Sequence, residues 1–133
     1  MSNHETIISE LHAYQGDIFR ELTLPVCGAV VSRVFRGSNI QPGTRIVAAA
    51  LTDFVLKEGE QLMFELQEAD SCKGPFFKRN IIAGITGPKN FFPGDEIMRF
   101  IPEKGTRRFL RLKVSDNADL SSSVITAYLV RKG

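Results

Sequence analysis

The sequence predicts an all-β protein: a jelly-roll-like antiparallel β-sandwich of seven or eight strands with an N-terminal arm. Three observations point there. Several segments alternate apolar and polar residues with the period of two that a half-buried strand requires. Clusters of Gly, Pro, Asn, Asp and Ser punctuate the chain wherever one such segment stops. No stretch between residues 25 and 133 sustains the 3.6-residue period of a helix.

The elements follow in order. Residues 1–24 read as an arm. Ile7, Ile8 and Leu11 are spaced like one helical face, but only about two turns fit before Gly16, and so short a helix is marginal alone in water. The arm either gains order by docking on a partner or packs as a cap on the sandwich, and "DIFRELTL" within it has the makings of an eighth strand. The sandwich domain spans 25–133. It opens with "VCGAVVSRVFR", rich in β-branched residues. "RIVAAALTDFV" is apolar on both sides and small, as in a strand buried on both faces.

In "EQLMFELQEAD", Leu62, Phe64 and Leu66 fall on one side, with Gln61, Glu65 and Gln67 on the other. "FFKRNIIAGI" and "DEIMRFI" continue the series. In "RFLRLKV", Leu110, Leu112 and Val114 point inward and Arg111 and Lys113 outward, and "SSVITAYLVR" closes the chain. Reversals are expected at "RGSNIQPGT", "KEGE", "CKGP", "GPKNFFPGD", "PEKGT" and "SDNADLSSS". A set of strands like this must close into a barrel or pack as two sheets.

At 133 residues the chain has the size of one domain, long enough to hold a core without metal or disulfide. Seventeen basic residues balance fifteen acidic ones, which argues against a nucleic-acid binder. The start "MSNHETIISE" is polar and acidic, so no secretory signal is expected and the protein is expected to be made in a cytoplasm. "LPVCGAVV" is far shorter than the ~20 apolar residues of a spanning helix, so no membrane role is expected. Cys27 and Cys72 are expected to be reduced, buried thiols rather than a bridge.

Catalytic chemistry finds no foothold. The two histidines, His4 and His12, both lie in the arm, so the histidine–carboxylate metal sites of double-stranded β-helix enzymes cannot be assembled on the strands. There is no Cys-x-x-Cys pair, no Gly-x-Ser-x-Gly elbow and no phosphate loop; "AGITGPKN" lacks the terminal Gly-Lys-Ser/Thr. Acids such as Asp95, Glu96 and Glu103 read as solvated loop residues. The expectation is no enzyme, no cofactor and no small-molecule substrate.

Two features suggest contact instead. Phe76–Phe77 and Phe91–Phe92 are doublets beside prolines. Neighbours on an extended chain face opposite ways, so each doublet can send one ring inward while the other finds a cover or stands exposed. Exposed loop aromatics mark protein contacts; the ordinary outcome is that both rings lie buried beneath their own loops. Lys73, Lys78 and Arg79 form one basic group, and Arg107, Arg108, Arg111 and Lys113 another. With no Trp and two Tyr, the stacking platforms of a single-strand binder are missing. These cations either guard sheet edges or dock on an acidic protein surface.

The segment "FFPGDEIMRFIPEKGTRRFLRLKVSDNADLSSSVITAYLV" resembles the C-terminal half of a family of tailed-phage capsid cement (decoration) proteins of jelly-roll type. The likeness rests on the Pro93–Gly94 turn, "IMRFIP" ending in proline, Gly105, the "RFLRLKV" strand and the closing "VITAYLV". "LMFELQEADS" is similar to an earlier strand of the family, so the resemblance spans residues 45–131. It implies a structural virion protein on the outer surface of the capsid, a homotrimer that clamps neighbouring major capsid proteins. The expected contact residues are Ile7, Ile8, Leu11, Phe19, Phe76, Phe77, Phe91, Phe92, Arg107, Arg108 and Arg111. A glycan- or receptor-binding sandwich, such as a tail-associated adhesion module, is the alternative, and the lack of Trp weighs against it because sugar sites stack rings on aromatics.

Overall fold

The computed structural model describes residues 17–24, 28–37, 43–102, 108–117 and 123–131. Among them are eleven strands and no α-helix. Their order is β1 (Asp17–Leu24), β2 (Gly28–Val31), β3 (Phe35–Arg36), β4 (Thr44–Ala50), β5 (Phe54–Leu56), β6 (Gln61–Ala69), β7 (Phe77–Thr86), β8 (Lys89–Phe91), β9 (Glu96–Phe100), β10 (Phe109–Asp116) and β11 (Ser123–Arg131).

Two sheets carry the fold. The first runs β1-β11-β4-β9 and the second β2-β10-β6-β7, with β3 also on β10. The antiparallel pairings nest: β1 with β11, β2 and β3 with β10, β4 with β9, β6 with β7. With β2 and β3 taken as one interrupted strand, eight principal strands form one long hairpin rolled into two layers. That is the jelly-roll arrangement. The remaining strands, β5 and β8, pair only with each other.

The core lies between the layers. Leu62, Phe64 and Leu66 of β6 and Leu110, Leu112 and Val114 of β10 are fully buried. They meet Ile46, Ala48 and Ala50 of β4 and Ile125, Ala127 and Leu129 of β11 in one cluster. The period-two pattern of the second sheet puts polar residues on its far side, where Glu65, Gln67, Arg111 and Lys113 are half-buried. Strand β4 is buried on both faces, as its uniform apolar run requires.

Three expectations are refined here. Within residues 1–24, the possible eighth strand at "DIFRELTL" is realised: Asp17–Leu24 pairs along β11 as part of the first sheet. Ile18 and Leu24 are buried, and Phe19 and Leu22 pack on the core. Register shifts between Asp17 and Phe19 and between Phe19 and Leu22 let irregularly spaced apolar residues reach one side. Thr126 Oγ1 donates to the Phe19 carbonyl at 2.9 Å beside that irregularity.

"VCGAVVSRVFR" divides in two, because Ser32 is buried between β2 and β3. Its amide donates to the Leu112 carbonyl, while its hydroxyl accepts from the Leu112 amide at 2.8 Å and replaces a ladder bond. "GPKNFFPGD", expected only as a reversal, contains β8, whose Phe91 stacks on Phe54 of β5. Gly87 makes that approach possible: a Cβ there would collide with the backbone carbonyls of Leu56 and Lys57.

Candidate docking surface

The structure sorts the expected contact residues into four groups. Ile7, Ile8, Leu11 and Arg107 lie outside the described residues, as do Cys27, both histidines and Glu103. Phe19 and Phe91 point inward. Phe19 pairs with the inward-facing Ala127 and packs on the core. Phe91 is buried, its ring centroid 4.9 Å from that of Phe54. Phe91 is thus a core residue rather than a surface contact, while Phe19 is half-buried against the core, brought there by the register shifts of β1.

Phe76, Arg111 and Arg108 form the third group, on the outer side of the second sheet. The Arg111 guanidinium sits 4.1 Å from the Phe76 ring centroid, a cation–π contact. Arg111 Nε donates to Gln67 Oε1 at 2.7 Å, and Gln67 Nε2 donates to Glu65 Oε2 at 2.7 Å. Arg111 is therefore held flat along the sheet. It stands on β10, a central strand with partners on both sides, so edge protection does not account for it. Arg108 is exposed beside the Phe109 ring, 5.7 Å from its centroid.

Phe77 and Phe92 make up the last group, 49% and 59% exposed. Phe77 opens β7 opposite Glu68. Phe92 begins a turn whose geometry is over-determined. The Asp95 amide donates to the Phe92 carbonyl at 2.9 Å, spanning Pro93 and Gly94. Gly94 has φ 91°, which the third position of a type II turn demands. The Asp95 carboxylate accepts the Phe92 amide at 2.8 Å. Two more bonds tie the turn to the end of β4: Gly94 N–H to Ala50 O, and Ala50 N–H to Asp95 O, both 2.8 Å. The chain thus fixes the backbone beneath an exposed aromatic ring.

Val55 belongs with Phe92 and was not among the residues expected from sequence. It is 51% exposed and pairs with Asn90. Phe92 is the first residue beyond β8, two positions after Asn90, so both exposed side chains belong to the β5–β8 pair and the turn that follows it. The signal was legible: Phe54 and Leu56 turn inward, so Val55 must turn out. Val31 and Ile101 are also exposed. Val31 faces outward with its register partner Lys113.

Elsewhere, a cleft of about 160 Å³ lies among Gln61, Met63, Ser115, Asp116 and Asn117. It is below the ~300–1,000 Å³ of small-molecule sites. Cys72 is exposed and reduced, not the buried thiol expected, because it stands in the tight turn from Ser71 to Gly74. Among the described residues no three His, Cys, Asp or Glu side chains are grouped to hold a metal, and no helix is long and apolar enough to cross a membrane. No family model, curated protein or solved structure matches the chain.

Proposed function

We propose that this protein is a structural virion component, a cement protein that binds the outer surface of a tailed-phage head. It acts as a homotrimer and clamps neighbouring major capsid proteins. The observation that carries this reading is the Phe92 turn, where four backbone-directed hydrogen bonds present an exposed ring next to the β5–β8 pair that carries the exposed Val55. An aromatic anchor held in place before contact loses little entropy on binding. The jelly-roll core supplies the stiffness such a clamp needs, and three copies on one shell multiply weak contacts. The resemblance over residues 45–131 supports the same reading.

The test is cosedimentation of the purified protein with heads that lack it. Phe92→Ala, which removes an exposed ring and leaves the turn, should lower occupancy at least tenfold with an unchanged melting temperature. Full occupancy by Phe92→Ala would remove the turn from the interface. Mass spectrometry of purified virions should find the protein near capsid copy number. A copy number near that of a tail component would assign it to adhesion, and absence from the particle would end both readings.

A further inference from the structure

The outer face of the first sheet is apolar and closed. Val47 and Ala49 of β4 and Thr126 and Tyr128 of β11 point away from the core, as their register partners show. Yet their exposures are 1%, 1%, 0% and 5%. Val47, Ala49 and Tyr128 form a cluster of their own, with Val130 packed against it. Every described apolar side chain in that cluster comes from the sheet itself. The second sheet lies on the opposite side. Arg99, the register partner of Val47, and Glu96 flank the cluster on β9; both are exposed and bonded to each other at 2.6 Å.

The closure is centred, not uniform. It is complete at Thr126, Ala49, Val47 and Tyr128, partial at Val130 and Arg45, and absent at Ile101, which is 58% exposed beyond the end of β9. Its centre coincides with a point where chain arrives: Asp17 is the register partner of Tyr128. Sixteen residues of the sequence precede Asp17. From β11 across β4 to β9 is two strand spacings, roughly 10 Å. Sixteen residues exceed that span in any conformation, whereas the gaps of at most five residues between described segments leave from the sheet ends. The segment also carries Ile7, Ile8 and Leu11.

We propose that residues 1–16 of the same chain lie across this face, seating Ile7, Ile8 and Leu11 on Val47, Ala49, Tyr128 and Val130. The surface is then an intramolecular docking site. In the free protein those three apolar residues are engaged with their own sheet, not offered to a partner. This stands apart from the capsid reading, since the tests below use free protein without heads.

Tyr14→Phe in the full chain leaves Tyr128 as the one tyrosine, and the sequence has no tryptophan. In that protein Tyr128 should resist acrylamide quenching and titrate above its ordinary value. Adding Ile8→Asp and Leu11→Asp should raise quenching severalfold and bring the titration down toward that value. Unchanged protection would overturn the proposal. So would protection that disappears on dilution, which would make the cover a second copy. A second experiment serves if the charged variant fails to fold. With the photo-crosslinker benzoylphenylalanine in place of Ile8, crosslinks should fall within the same chain on peptides holding residues 44–50 or 123–131. Crosslinks to the second sheet, or mainly between chains, would overturn it.

Discussion

The two sheets share one core and differ in their outer faces. The first sheet is dry on that side: Val47, Ala49 and Tyr128 are nearly inaccessible. The second is wet, and Glu65, Gln67, Arg111 and Lys113 form a hydrogen-bonded, partly solvated layer. The sequences of the central strands account for the difference. "TRIVAAA" and "VITAYLV" are apolar at nearly every position, whereas "QLMFELQEA" and "FLRLKVSD" alternate. A strand that spends hydrophobic residues on both faces requires a second cover. Both kinds of strand sit at the centre of a sheet here, so position within the sheet does not decide the pattern.

The strongest way to break this comparison is to place the same substitution on each outer face. Val47→Asp buries a carboxylate with no partner and should cost about 4 kcal/mol or more. Val31→Asp, on the open face beside Lys113, should change stability by less than about 1 kcal/mol. Urea unfolding of the two variants measures the contrast. Equal costs would mean the faces do not differ. The shared interior should ignore the distinction: Leu112→Ala from the second sheet and Leu129→Ala from the first should each cost roughly 2–5 kcal/mol. A loss under half that range at either site would contradict its burial. Smaller again is Ser32→Ala, which strips the Leu112 amide of its buried acceptor and should cost about 1–3 kcal/mol. Hydrogen exchange at Leu112 should accelerate in that variant while the β4 amides stay protected.

How much of this could be read beforehand follows the range of the interaction concerned. Alternation in β6 and β10 is local, and Leu62, Phe64, Leu66, Leu110, Leu112 and Val114 could be assigned inward from their spacing alone. The two-sided burial of β4 was legible for the same reason. The nested pairing was not, because β1 meets β11 across more than a hundred residues and no spacing encodes a partner. The arm illustrates this: "DIFRELTL" shows no clean alternation because bulges shift its register against β11. The doublets show it at the site. That only one ring of Phe91–Phe92 could enter the core was predictable; that the other stands exposed rather than buried beneath its loop was not, and which one enters depends on β8 pairing with β5. Phe76 lies under Arg111, thirty-five positions away, and neither residue alone announces the contact.

The finest distinction between the faces is electrostatic, and Tyr128 reports it. Burial raises its pKa above 10.0 as the main cause, the Glu96 carboxylate raises it further, and Arg99 opposes. A phenol whose folded pKa is raised contributes stability that is whole below the unfolded value and is lost as pH climbs through the folded one, since the unfolded chain ionises first. Alkaline destabilisation is therefore expected from the dry face. Glu96→Gln should barely change stability at neutral pH, under about 1 kcal/mol, because the Glu96–Arg99 pair is exposed. Above the ordinary tyrosine value it should lessen the decline, because the folded pKa moves down toward the unfolded one while burial still holds it up. Unfolding free energies of the two proteins compared at neutral pH and at about pH 11 isolate that difference, since the remaining titratable groups are common to both. Parallel decline in the two proteins would mean the Glu96 charge is not felt at Tyr128, and that water reaches between them over the first sheet as it does over the second.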